Sequence, residues 1–250
     1  VVYNVPEVEE VVKKWSDLDH LNELVGANAM HDVQVSKDNH FMYWREVSIK
    51  KRKRFHFIPP TSYSEIKFVD WLKAAVTNHN KSLVNREHLY LRINGEHVGD
   101  PIFNELPFFN PIKSLFIVDP KEQRGINCRF GMKSVISECH YDGSRNYVAA
   151  LGGMRRFILN HPDQCENLYL YSKGHPSARH SEIDWSKPDY AKFHRFAKAK
   201  SNEIITRPGD VLYLPTYWFH YIVSLNVNFQ CNTRSGEEYG YDKYMEACGF

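Results

Sequence analysis

No run of about 18 apolar residues occurs anywhere in the 250-residue chain, so no membrane-spanning helix is expected. Neither sign of charge prevails: 32 Lys and Arg stand against 30 Asp and Glu, a net charge of +2. That balance supplies no extended basic face, so neither nucleic acid nor an anionic membrane surface is an expected partner. Internal repeats, low-complexity tracts and long linkers are also missing. One domain over residues 1–250 is therefore expected, a size that all-β folds routinely reach. Finally, C-x-x-C pairs are missing. Cys128, Cys139, Cys165, Cys231 and Cys248 are odd in number and widely spaced, which argues against a disulfide framework and a structural zinc site. Buried free thiols in a reducing compartment, cytoplasmic or nuclear, are the expectation. The chain opens at Val1 without Met, consistent with a removed leader or a trimmed start, and this leaves the compartment open.

What the chain does contain is ordinary apolar content, 42%, ordered into short periodic segments. Val8, Val11, Val12, Trp15 and Leu18 recur at helical spacing. "HDVQVSKDNHFMYW" (31–44) reads as two short strands around a Lys-Asp-Asn turn. Ser62-Tyr-Ser-Glu65 has the form of a capping box and predicts a helix with Ile66, Val69, Leu72 and Val76 on one face. Lys50 to Arg54 is an unbroken basic run, which fits a solvated loop or strand edge, or a nuclear-import or RNA contact. "HLYLRI" (88–93) alternates like a strand. Beyond it strands dominate: "KSVISECHYD", "NYVAAL" with Gly152-Gly153 as a hairpin turn into "MRRFIL", "RPGDVLYLP" and "YIVSLNVNFQ". Pro188 opens a predicted short helix. Helices first and many short strands after predict a β-sandwich or jelly roll with helical decoration.

Within "SECHYDGSRNYVAAL" (137–151), His140 and Asp142 stand two residues apart in a strand-like setting. Alternate residues of a strand share a face, so an imidazole and a carboxylate would project together. The bare pattern is weak: placing 13 His and 30 acidic residues at random in 250 positions gives between one and two His-x-Asp/Glu matches, and the chain has three. His161-Pro-Asp163 carries proline inside the motif, and His180-Ser-Glu182 lies in a polar, loop-like stretch. His220, 78 residues after Asp142, is the natural third ligand. Two His and one carboxylate suit a non-haem Fe(II) centre with open positions, and the same ligand types also serve zinc hydrolysis. Ordinary half-buried histidines are the alternative. Tyr213, Tyr217, Trp218, Phe219 and Tyr221 suit either a substrate wall or core packing.

The segments "HFMYW", "EIKFVDWL", "HLYLR", "CHYDGSRNYVAAL", "RRFIL", "PDQCENLYLY", "PDYAKF" and "PGDVLYLPTYWFHYI" together resemble the JmjC-type, cupin-fold 2-oxoglutarate oxygenases. Within that family they look most like its asparaginyl hydroxylases of the factor-inhibiting-HIF type. The likeness covers most of the chain and runs without a gap from Ser137 to Asp184. It implies a mainly β, double-stranded β-helix (jelly roll) with N-terminal and flanking helices. The helical and strand part spans about 1–120, the core about 121–235, and a short C-terminal tail follows. It further implies Fe(II) on His140, Asp142 and His220, with O2 and 2-oxoglutarate as co-substrates. Tyr90, Ser137 (a threonine in the family), Asn146 and Asn228 fall on co-substrate positions, Asn228 after a shorter loop. Arg92, Arg179, His180 and Gln230 fall on substrate-facing ones.

Arg155 is the main departure, because the family has lysine there, opposite the far carboxylate of 2-oxoglutarate. Arginine keeps the charge and adds a bidentate fork. The pocket then either still takes 2-oxoglutarate in a reshaped form, or has moved to another acid or fallen silent. His180 replaces a family glutamine and Gln230 a tryptophan, which puts asparagine specificity in question. Three classes stay open: a protein or peptide side-chain hydroxylase, an oxygenase on a small molecule, nucleic acid or methyl-lysine, and a silent cupin that binds a partner. The resemblance also implies a homodimer through C-terminal helices.

Overall fold

The computed structural model describes all residues except 80–86, 113 and 115. Two sheets face each other. The chain enters through α1 (Pro6–Trp15) and α2 (Leu18–Leu24), continues through β1 (Met30–Ser36) and β2 (His40–Phe41), and then forms α3 (Ile49–Arg54), β3 (Ser62–Lys67), α4 (Phe68–His79), β4 (His88–Gly95) and α5 (Pro101–Glu105). Next come β5 (Gln123–Gly131), β6 (Ile136–Tyr141), β7 (Asn146–Gly152), β8 (Arg155–Asn160), β9 (Asn202–Thr206), β10 (Val211–Leu214), β11 (Phe219–Ser224), β12 (Asn228–Ser235) and α6 (Asp242–Ala247). One sheet has the order β10-β7-β12-β5-β4-β1-β3 and the other β2-β6-β11-β8-β9. Among the described strands every pairing is antiparallel except β2 with β6. From β5 to β12 consecutive strands alternate between the sheets except at β8 and β9, which pair as neighbours in the five-stranded sheet, the strand pattern of a jelly roll.

The two faces of the seven-stranded sheet differ in chemistry. Its outer face carries Leu91, Ile126, Phe130, Ala149 and Leu151, all buried against α1 and α4. Trp15 stacks on Phe130 with ring centroids 6.1 Å apart, and Phe68 and Trp71 meet Phe130 edge-on at 5.5 and 5.8 Å. Pro6 at the first helical position, Glu7 and Glu9 in the first turn and Lys13 and Lys14 in the last all favour α1 as a helix. The inner face is polar: Tyr90 and Arg92 on β4, Arg129 on β5, and Gln230, Asn232 and Arg234 on β12 line a cavity between the sheets.

Several local expectations are corrected. Ser62–Lys67 is strand β3, paired with β1 from Val35↔Ser62 to Met30↔Lys67, and not a capped helix start. Ladder hydrogen bonds to a neighbouring strand outweigh the local cap, and the helix begins at Phe68. Its buried face is Phe68, Trp71 and Ala75, whereas Val76 is 58% exposed. Gly152-Gly153 does not close a hairpin, because β7 lies between β10 and β12 while β8 lies between β11 and β9. Gly153, at φ +65°, carries the chain from one sheet to the other, and a Cβ there would sit 2.1 Å from the Val227 carbonyl oxygen. The two strands in 31–44 are likewise in different sheets, and "YIVSLNVNFQ" is split between β11 and β12. After Pro188 the chain makes turns and then a 3-10 segment, His194–Lys198, in place of an α-helix. The basic run forms α3, on the surface.

The expectation of free thiols is also corrected. Cys128 and Cys231 lie directly opposite each other on β5 and β12 and form a disulfide, and Cys165 bonds Cys248 at the end of α6. Sequence spacing could not show either pair, since both join positions brought together by the sheets and tail. Cys139 stays free and buried. No described helix is long and apolar enough to cross a membrane.

Candidate functional site

The site begins with a register. β6 and β11 pair so that His140 stands opposite His220, with ring centroids 4.2 Å apart. Asp142 follows the last residue of β6, where its carbonyl oxygen accepts the backbone N–H of Tyr217 at 2.9 Å. Its Oδ2 lies 3.9 Å from His220 Nε2. One ligand atom from each of His140, Asp142 and His220 falls within 4.8 Å of the others, a group able to hold a metal ion.

Tautomer and charge suit that role. The Nδ1 of His140 faces the Glu138 carbonyl at 2.7 Å and that of His220 faces the Trp218 carbonyl at 3.0 Å. Each Nδ1 must therefore carry the hydrogen, which leaves both Nε2 lone pairs for a metal. Burial pushes both imidazoles below their ordinary pKa, His140 further still because His220 and His180 crowd it. Burial alone would raise the Asp142 carboxyl, but Arg234, His220 and His140 override it and hold the group below the usual carboxylate range. Arg234 Nη2 donates to Asp142 Oδ2 at 2.8 Å, and Asn146 Nδ2 reaches the same oxygen at 3.4 Å. Two neutral imidazoles and one charged carboxylate are the donor set that an Fe(II) centre uses.

The triad borders a cavity of about 310 Å³. Tyr90, Arg92, Ser137, Asn146, Arg179, His180 and Gln230, all expected at the site, line it. Ser137 and His140 are three residues apart and would face opposite ways on a regular strand. A register shift between His220 and Ile222 pairs Ser137 with Ile222 and His140 with His220. The resulting bulge in β6 turns both side chains inward, a device common beside functional sites. His180 stacks on His140 at 4.9 Å, with its pKa lowered to about 4 by burial. Arg179 sits at the rim, exposed, with φ +76°.

Arg155 and Asn228 lie just behind the cavity lining. Arg155 is 3% exposed. Its Nε donates to Asn228 Oδ1, its Nη1 to the Tyr90 hydroxyl at 3.0 Å and its Nη2 to the Arg129 carbonyl at 3.4 Å. Among the described residues no carboxylate forms an ion pair with it. The five aromatics between Tyr213 and Tyr221 do not line this cavity: Phe219 and Tyr221 are buried in a core with Tyr141, and Tyr217 borders a neighbouring groove.

Sequence reading missed Arg129, Arg234, Gln34 and Asn232, all of which line the cavity. For Arg129, Asn232 and Arg234 the signal was the alternation of polar with apolar residues in "INCRFG" and "NFQCNTRS", which marks a polar inward face where a jelly roll usually buries apolar side chains.

Comparison with known proteins agrees with the fold. Lysine-specific demethylase 8 of Xenopus tropicalis is 35% identical over 106 residues, 42% of this chain and 23% of that protein. tRNA wybutosine-synthesizing protein 5 of Danio rerio is 28% identical over 176 residues, 68% of this chain and 52% of that one. Lysine-specific demethylase JMJ30 of Arabidopsis thaliana is 26% identical over 216 residues, 86% and 44% respectively. The matched stretches thus span between about a quarter and a half of these relatives' own lengths. The model of the cupin-like domain family matches residues 1–234, and the chain, with its two facing sheets and inward triad, belongs to that family.

Proposed function

We propose that the chain is an Fe(II)- and 2-oxoglutarate-dependent oxygenase that hydroxylates a side chain of a protein or peptide. The observation that carries the reading is the convergence of His140, Asp142 and His220, with both Nε2 atoms free, on a cavity backed by an unpaired guanidinium. His140, Asp142 and His220 would hold the metal. Tyr90, Ser137 and Arg155 would receive the far carboxylate of 2-oxoglutarate, since the Arg155 cation is buried among neutral acceptors and lacks an anion. Bound there, iron supplies oxidative decarboxylation of the co-substrate coupled to oxygen insertion. The protein's own work is positional: carbonyl groups orient the imidazoles, Arg234 and Asn146 orient Asp142, and the facing sheets keep bulk water out.

A polypeptide substrate is supported by the family likeness in "YLYSKGHPSARHSEIDW" and by a second groove of about 380 Å³ that shares Tyr43, Tyr141 and Arg179 with the cavity rim. A nucleic-acid substrate is the second reading. The similarity to tRNA wybutosine-synthesizing protein 5 and the basic helix α3 favour it. The test is direct. The protein is incubated with Fe(II), 2-oxoglutarate and O2, together with a peptide library or an RNA pool, and products are read by mass spectrometry and succinate release. Peptides gaining one oxygen are expected, with both signals and stoichiometric iron lost in His140→Ala and Asp142→Ala. Iron content unchanged in both variants, or modification of RNA alone, would overturn the reading.

A further inference from the structure

Four guanidiniums, those of Arg92, Arg129, Arg179 and Arg234, line the cavity against the single carboxylate of Asp142. Asp142 is already engaged by Arg234, with His220 Nε2 3.9 Å away. A metal dication would add to the surplus, and a dianionic co-substrate held at Arg155 would only offset the metal. The remaining positive charge is concentrated on one wall. Arg92 on β4 and Arg129 on β5 stand directly opposite each other in the antiparallel register, with Gln230 on β12 opposite Arg129 on its other side. Like charges directly opposite across strands repel. Among the described residues neither forms an ion pair.

Their hydrogen bonds are sparse as well. Arg92 Nη2 reaches Gln34 Oε1 at 2.8 Å, but its buried Nε has no partner among the described residues. Among the described residues Arg129 reaches only Asn94 Oδ1 at 3.5 Å and the Cys128 carbonyl at 3.3 Å. Burial and the Arg92 charge lower the Arg129 pKa to about 9. Two guanidiniums held face to face are stabilised by an oxyanion between them, because a fork of guanidinium donors matches a carboxylate or phosphate.

We propose that Arg92 and Arg129 form an oxyanion clamp for the substrate to be oxidised, which is an acidic polypeptide segment that places a carboxylate or phosphate ester on the wall facing the triad. The proposal rests on the oxygenase reading and names its substrate class. Facing sheets lie ~10 Å apart and an extended chain rises ~3.3 Å per residue. The acidic group therefore falls within about three residues of the oxidised one. The clamp lies inside a cavity and not on an open basic face, and the chain's net charge is only +2, which favours a side chain over a phosphodiester backbone.

The test uses protein loaded with Fe(II) and 2-oxoglutarate without oxygen. Binding of labelled twelve-residue peptide pools is read by fluorescence anisotropy. One pool carries Asp and Glu, a matched pool has Asn and Gln in their place, a third has phosphoserine, and a single-stranded RNA completes the set. The acidic or the phosphorylated pool is expected to bind at least about tenfold tighter than the neutral one, and which of the two does so identifies the source of the oxyanion. Arg129→Gln and Arg92→Gln should remove most of that preference, and Arg92→Lys should keep part of it. Equal affinity for acidic, phosphorylated and neutral pools in the unsubstituted protein sinks the clamp, whatever the variants do, and so does tighter binding of RNA than of every peptide pool. A 2-oxoglutarate titration on the same unsubstituted sample separates the two ideas: absence of co-substrate binding overturns the oxygenase reading, while normal co-substrate binding with no acidic preference overturns the clamp alone.

Discussion

Arg155 is a cation with three neutral acceptors and no anion of its own, and the backbone has made room for it at Gly131. A Cβ on Gly131 would lie 3.1 Å from Arg155 Nη2, 3.0 Å from Asn228 Oδ1 and 2.7 Å from Ser224 Oγ. Two substitutions therefore probe one function. Arg155→Ala should weaken 2-oxoglutarate binding on the order of 100-fold, because the far carboxylate loses its buried partner. Gly131→Ala should displace the guanidinium and weaken the same binding roughly tenfold, since overpacking typically costs ~1–3 kcal/mol. Co-substrate titration by calorimetry reads both. If Arg155→Ala binds as tightly as the parent, the anchor lies elsewhere, and Arg129 becomes the next group to test.

Among the elements, α3 depends on a neighbour that titrates. His175 stacks on Tyr171 at 4.1 Å and receives the edges of Phe55 and Phe57 at 5.2 and 5.4 Å, which holds the end of the basic helix to the 171–178 loop. Its Nδ1 accepts the Ser177 backbone N–H at 3.0 Å, so the neutral ring is the one that fits. Burial lowers its pKa below the ordinary 6.5. The folded state therefore binds fewer protons than the unfolded chain. The stability this contributes is present above pH 6.5 and is lost as pH falls through the lowered folded value. Urea denaturation at pH 7.5 and pH 5 should show the decline, and His175→Phe should shallow it. An identical pH slope in the variant would remove His175 from the account.

At the scale of the whole molecule, the site rests on the packing behind the sheet. Phe130 points outward into the helices while its neighbour Arg129 points into the cavity, so α1 and the clamp share one strand. Trp15, 1% exposed, closes that outer layer against Phe130. Trp15→Ala should cost ~3–5 kcal/mol in chemical denaturation, the range for deleting a large buried aromatic. Trp15→Phe should cost much less, because the indole N–H has no partner to lose. A loss under about 1 kcal/mol for the alanine variant would mean that α1 packs loosely on the sheet.

Part of this architecture is written in the sequence. The helical spacing of Val8, Val11 and Trp15, the Pro-Gly turn into β10 and the alternation of β4 are local patterns, and local patterns follow from the chain's own geometry. The grouping of His140, Asp142 and His220 was legible only with the family resemblance, since the His-x-Asp pattern alone is weak, and the structure brings their ligand atoms within 4.8 Å of one another. What tertiary structure alone decided is everything that depends on which strand lies beside which. Ser62–Lys67 became a strand because β1 was there to pair with it, and Gly152-Gly153 became a crossover because both neighbours of β7 were already taken. Cys128 met Cys231 across a ladder, and the bulge in β6 turned Ser137 to the side of His140. The opposition of Arg92 and Arg129 has the same origin. Strand register joins residues far apart in the chain, and the propensities of single residues carry no record of it.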